Sequence, residues 1–137
     1  MTNAQIVQAY VAAVQRFDEA TALPLMHPQM RFHELPNRIR PKGGVDDVAA
    51  MQAGMRKAAE GKVLRGQRYV VNEVIEAGDR VVMEARWEGD LAMSIGKLQP
   101  GDTMVAHICM VFRLEAGQII EQRNYDCYED FTAAAQV

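Results

Sequence analysis

The run Gln122-Arg123-Asn124-Tyr125-Asp126-Cys127-Tyr128 places an acid among carboxamides and a phenol. In an extended strand alternate side chains share a face, so Gln122, Asn124, Asp126 and Tyr128 stand together. A carboxyl taken partly out of water prefers its neutral form, which moves its pKa toward the range useful for proton transfer. Asp126 is therefore a candidate general acid or base. As an ordinary strand-end acid it would need no more than a loop amide for a partner. The other reactive residue types form no such constellation. Cys109 and Cys127 are too few for a disulfide scaffold, and no adjacent charge activates either thiol. Both are expected as reduced cysteines of a cytoplasmic protein. His27, His33 and His107 are scattered, without a Cys-x-x-Cys or His-x-x-x-His pair, so no metal site is expected. His33 adjoins Glu34 but points to the opposite strand face, which disfavours a His–Glu dyad. Trp87, the one tryptophan, falls on the opposite side of its strand from Glu84, Arg86 and Glu88, at a subunit face or a pocket rim. Arg38, Arg40 and Lys42 make a basic loop, either a solvated surface or a lid attracting an anionic group.

These residues sit in a chain of 137 residues, a single-domain length. With 49% hydrophobic and 24% charged residues the chain can bury a core and is not disordered. A net charge of −3 argues against a nucleic-acid partner, which would require a basic face. The N-terminus has no basic region, and Asn3, Gln5, Gln8 and Gln15 interrupt its apolar runs, so no targeting signal is expected. No stretch approaches the roughly 20 apolar residues of a membrane span, and no membrane partner is expected. Nine methionines against 7% aromatic residues pose a question of allocation between core packing and an adaptable pocket wall.

Ile6, Tyr10, Ala13, Val14 and Phe17 recur at helical spacing, and Thr2 with Gln5 reads as a capping box. A short second helix is predicted over 21–26, ended by His27-Pro28. Residues 30–35 read as a strand, and 36–44, with two prolines and two glycines, as a loop. Asp46 or Asp47 caps a third helix with the stripe Val48, Met51, Met55, Ala58 and Ala59, and Gly61 closes it. Four strands follow as two hairpins, 68–77 with 80–91 and 103–114 with 118–128, turning at Gly78-Asp79 and Ala116-Gly117. In the third of these, Ala106, Ile108, Met110 and Phe112 share one face and Val105, Cys109 and Val111 the other, so both faces need cover. Helices ahead of an antiparallel meander predict an α+β fold, with the helices on one face of the sheet.

This element order, with Gly78-Asp79-Arg80-Val81-Val82, Trp87-Glu88-Gly89, the run Phe112 to Ile119 and Asn124-Tyr125-Asp126, resembles the NTF2-like superfamily: ketosteroid isomerases, SnoaL-type cyclases and limonene-epoxide-type hydrolases. The segment Pro36 to Gly43 and the ending Tyr125-Asp126-Cys127-Tyr128 look similar to a bacterial branch of it without an assigned substrate. The resemblance implies a cone-shaped cystatin-like fold over residues 1–137, three N-terminal helices on a curved antiparallel sheet, an apolar ligand in a conical pocket, and a homodimer through the sheet face. Ketosteroid isomerases use a helix Tyr as oxyanion donor, a carboxylate base ending the first strand and a protonated Asp on a later strand. Anchored at Asp18, that layout implies Tyr10 as donor and Glu34 as base, and puts His107 at the later Asp position, where it departs from the family's pattern. SnoaL-type cyclases carry a catalytic Asp that Asp126 resembles. Arg86-x-Glu88 resembles the Arg-x-Asp pair of the epoxide hydrolases, but Asn124 stands where their acid would be, and an amide delivers no proton. A conical pocket further implies ligand contacts from Trp87, Arg86, Asn124, Met55 and Met110, with Met51 and Met83 divided between wall and packing.

The expected function is a cofactor-independent isomerase or cyclase that moves a proton on a small apolar carbonyl compound. Glu34 or Asp126 would be the base, Tyr10 the oxyanion donor and His107 a second donor. The alternatives are a non-catalytic binding protein and an interaction module whose sheet face recruits another protein.

Overall fold

The computed structural model describes residues 1–132. Helix α1 spans Asn3–Gln15 and opens on the expected capping box: Gln5 N donates to Thr2 Oγ1 at 3.1 Å and Thr2 N to Gln5 Oε1 at 2.8 Å. Two otherwise orphaned N–H groups are thereby satisfied, so Thr2→Ala is expected to lower stability by about 1 kcal/mol, read from urea unfolding. Ile6, Val7, Tyr10, Val11 and Ala13 form its buried stripe.

The chain leaves α1 through a three-residue corner, Arg16 to Asp18. Phe17 N donates to Val14 O and Asp18 N to Ala13 O, which together make a Schellman motif with Phe17 at its left-handed position, φ 56°. Asp18 then caps α2 (Glu19–Ala22), accepting from Thr21 N at 3.1 Å and Thr21 Oγ1 at 2.6 Å. The α-helix stops earlier than predicted because Pro24 brings no N–H; Leu23–Leu25 form a single 3₁₀ turn instead.

Strand β1 runs Met26–Glu34, four residues ahead of the predicted start. Pro28 is tolerated because the β1–β6 register shifts between Met26 and Arg31, where no regular ladder bond is required of it. Gly44–Asp46 form β2, paired antiparallel with Phe32–Glu34; three residues leave no periodicity to read, and the sequence predicted only loop there. Helix α3 spans Val48–Ala59, with Asp47 accepting from Ala50 N at 2.9 Å and Gly61 beyond it at φ +73°. Strands β3 (Leu64–Ala77), β4 (Arg80–Leu91), β5 (Thr103–Glu115) and β6 (Gln118–Tyr128) complete the chain, with β3 beginning four residues before the predicted position.

The six strands form one sheet in the order β2-β1-β6-β5-β4-β3. Its long strands pair antiparallel as expected, while β1 lies parallel to β6, so the sheet is mixed. The helices cover one face. On that inner face Val81, Met83, Ala85, Trp87, Ala106, Ile108, Met110 and Phe112 are buried together with the α1 stripe. Phe112 is fully buried and meets Tyr10 edge-to-face, ring centroids 6.2 Å apart. Alternation turns Val82, Glu84, Arg86, His107, Cys109 and Val111 to the outer face.

Candidate functional site

A cavity of about 300 Å³ lies between α1, α3 and the inner face of the sheet. Its walls are Tyr10 and Val14 of α1, Phe17 of the corner, Phe32 of β1, Asp46 of β2, Leu64, Gln67 and Tyr69 of β3, and Gln122 and Asn124 of β6. From α3 come Met51 and Met55 together with Ala50, Gly54 and Ala58. The last three are four residues apart and line one stripe of the helix. A Cβ added at Gly54 would meet nothing within 4 Å. The cavity thus exists partly because this stripe carries no bulk. In the sequence the signal is small residues at helical spacing; the apolar stripe contains Ala58, Met51 and Met55 but passes over Ala50 and Gly54.

Asp126 and Glu34 flank this lining without belonging to it. Glu34 stands opposite Asn124 in the β1–β6 register, and Asp126 is two residues beyond Asn124 on the same face. Asp126 Oδ1 is buried and has no hydrogen-bond partner among the described residues. Burial, and next the charge of Glu34, push the Asp126 carboxyl up to about 6, while the Asn124 carboxamide opposes the shift. Around it stand phenols whose pKa values are also raised, by burial first. Tyr69 and Tyr128 feel Asp126 in addition, and Tyr10 feels Tyr69. Four side chains from α1, β3 and β6 are therefore electrostatically connected, Tyr10 and Tyr69 within the lining and Asp126 and Tyr128 beside it, and all three tyrosines are held in the protonated form that can donate a hydrogen bond.

Glu34 is engaged differently. Its carboxylate accepts from Asn37 Nδ2 at 2.8 Å and pairs with Arg40 Nη1 at 3.5 Å. Arg40 also holds Asp46 at 3.1 and 3.3 Å, so one guanidinium ties the 36–43 loop to β1 and to a cavity-lining acid. Gly44 permits this path, because a Cβ there would run into the Arg40 guanidinium. Arg38 reaches Asp130 at the loop's outer side.

Of the sequence candidates, Tyr10, Asn124 and Met55 line the cavity. Trp87 and Met110 lie on the inner face but in the packed core, Trp87 donating its Nε1–H to Gln67 Oε1 at 2.8 Å and meeting Tyr128 edge-to-face. Arg86 and His107 are on the outer face, away from the cavity. Arg86 pairs with Glu88 at 2.8 Å, and His107, more than half exposed, with Glu129 at 2.9 Å. Strand alternation is the reason: Arg86 and His107 are register partners, each one residue out of phase with the inner-facing Ala85, Trp87, Ala106 and Ile108. Expectations of a second oxyanion donor at His107 and a ligand contact at Arg86 are therefore corrected. Cys109 and Cys127 are free thiols, and no group of His, Cys, Asp and Glu among the described residues is placed to hold a metal ion. No helix among the described residues is long and apolar enough to cross a membrane.

Phe17 was read from the sequence only as part of the α1 stripe. It is half-buried, and although it lines the cavity it is not among the side chains packed on the hydrophobic core. Its left-handed backbone, where glycine is the usual residue, costs roughly 1–2 kcal/mol.

Solved structures with the same architecture share little sequence with this chain. They include IdmH, a proposed polyketide cyclase from Streptomyces antibioticus (17% identity, 92% of each chain, TM-score 0.75). An NTF2-like protein of unknown function from Burkholderia pseudomallei aligns at 22% identity over 92% of each chain, TM-score 0.73. AclR, a proposed hydroxylase from Streptomyces galilaeus, aligns at 17% identity over 91% of this chain and 78% of its own, TM-score 0.71. At such identities the likeness establishes the fold, which is NTF2-like. Among curated proteins none matches the sequence. The profile of the SnoaL-like domain matches residues 7–122, most of the chain, and the protein belongs to that family.

Proposed function

We propose that this protein binds a small, mostly apolar carbonyl compound in the cavity and moves a proton on it, as an isomerase or cyclase that needs no cofactor. The observation that carries the reading is Asp126: a half-buried acid with one unpartnered oxygen and a pKa near 6, directly beside the lining residue Asn124. Such a carboxyl is mostly ionised at pH 7 yet basic enough to take a proton from carbon next to a carbonyl. Glu34 is the weaker candidate for base because Asn37 and Arg40 already occupy its oxygens. In the step proposed, the Asp126 carboxylate removes the α-proton and the C–H electron pair moves into the carbonyl to leave an enolate. The enolate oxygen accepts a hydrogen bond from Tyr10, whose burial keeps the phenol protonated. The Asp126 carboxyl then returns its proton to the γ-carbon, which completes a double-bond shift. The fold shared with a proposed polyketide cyclase supports a reaction of this kind.

A second reading, ligand binding without turnover, is favoured by one specific fact: neither Asp126 nor Glu34 is itself in the lining. The two readings separate with cyclohex-3-enone as probe, its conversion to the conjugated enone followed by ultraviolet absorbance. Catalysis predicts kcat/KM rising with pH through an apparent pKa near 6 to a plateau, because the ionised acid is the active form. Saturable binding of the enone with no conversion would leave the binding reading. The outer sheet face, with half-covered Val82, Cys109 and Val111 and exposed Tyr125, is the surface we assign to a homodimer.

A further inference from the structure

We propose that Phe17 is a specificity-determining contact: its ring is kept at the cavity by a strained backbone in order to meet the ligand. The inference rests on the cavity being the binding site, as proposed above, and on three observations that packing does not explain. First, Phe17 closes a complete Schellman motif, with Phe17 N on Val14 O at 3.0 Å and Asp18 N on Ala13 O at 2.9 Å. These bonds involve only main-chain atoms, so any residue could make them and glycine would do so without strain. Second, the ring is not packed on the core cluster that Tyr10, Val14 and the sheet residues make. Burial in the core therefore does not offset the backbone strain. Third, the ring does line the cavity, as does Phe32, which is likewise outside the core cluster. Neither ring takes part in the edge-to-face pairs formed by Tyr10, Trp87, Tyr128, Phe112 and Phe131. Strain in sparsely populated backbone regions persists where surrounding structure enforces it, and it concentrates at ligand sites. Here the enforcement is visible on both sides: α1 ends in the motif, and the Asp18 side chain begins α2 by capping Thr21. The corner is thus fixed, and the side chain at its left-handed position is aimed into the cavity.

The position also separates strain from contact experimentally. Phe17→Ala removes the ring and keeps a Cβ in the left-handed region, whereas Phe17→Gly removes both. Binding of 2-naphthol, a flat enol-like probe, is measured calorimetrically for the wild type and both variants, alongside thermal melting and helix content by circular dichroism. The expected result is a loss of about tenfold in affinity for both variants, since one aromatic contact is removed. Phe17→Gly is expected to melt about 3 °C or more above Phe17→Ala. If the wild type binds the probe and both variants bind within twofold of it, the proposal fails while the cavity reading stands. If Phe17→Gly melts no higher than Phe17→Ala, the ring is not held against strain and the proposal fails as well. If the wild type itself does not bind, the cavity reading falls and takes this one with it.

Discussion

Asp126→Asn is expected to abolish most turnover while making the protein more stable at neutral pH. The exchange is nearly isosteric, so the cavity and its walls are kept, but an amide neither accepts nor delivers the proton. Removal of a general base reduces kcat by about 10²- to 10⁴-fold. The stability change follows from the same raised pKa. The folded state binds the Asp126 proton more tightly than the unfolded chain does, with a carboxyl pushed from 3.8 to about 6. A group of this sign favours the folded state when protonated, so the contribution of Asp126 to stability falls as pH rises between about 4 and 6 and is flat above. At pH 7 to 8 the wild type carries the full burden of the half-buried charge, about 3 kcal/mol for a carboxyl moved from 3.8 to about 6, and the asparagine variant does not. The two proteins should therefore converge below pH 4 and separate by that amount above pH 7 in urea unfolding. A variant that is less stable than wild type at pH 8, or a gap that does not close in acid, would contradict the environment described for Asp126. Unchanged turnover of the enone would remove Asp126 from the mechanism and return attention to Glu34.

Phe112→Ala is expected to have the largest effect on stability. Phe112 is fully buried at the centre of the inner face, between Met110 and Leu114 on its own strand side, and its ring supports Tyr10 edge-to-face. Truncation loses the transfer energy of the ring and leaves a void that α1 and the sheet can only partly close. Losses for such changes run to about 3–5 kcal/mol. Domains of this size have about 5–15 kcal/mol in total, so the variant should unfold at far lower denaturant concentration or not fold at 37 °C. Val70→Ala is the matched control: on edge strand β3 and 48% exposed, it should change stability by less than about 0.5 kcal/mol. Comparable losses for the two variants would mean that the inner face is not the core. Any Phe112→Ala protein that does fold should also bind probe less tightly, because Tyr10 loses the surface that holds it at the cavity.

The legibility of these residues in the sequence was uneven for a physical reason. Strand alternation is enforced by covalent geometry alone, so the shared face of Gln122, Asn124, Asp126 and Tyr128, and the hairpins that carry it, were readable. So were the caps at Thr2 and Asp47, because a side-chain oxygen three residues ahead of an N–H is a local contact. Which face the helices cover is not local. The layout carried over from ketosteroid isomerases placed His107 at the site, yet the pairing of Arg86 with His107 turns both outward. Strand β2 and the early start of β1 likewise arise from pairing with distant residues, which overrides the weak or contrary preferences of Gly44 and Pro28.

The sequence by itself determined the order of the three helices and of every strand but β2, the α+β architecture and the two-faced character of each long strand, because these depend on periodicity and capping within a few residues. Only the tertiary structure decided that Ala50, Gly54 and Ala58 leave room opposite Asn124, that Phe17 is held left-handed at that space, and that Asp126 lies near Glu34, Tyr69 and Tyr128. A pKa, a void and a backbone strain are each set by the distances among residues from separate elements, and those distances exist only once the sheet has assembled.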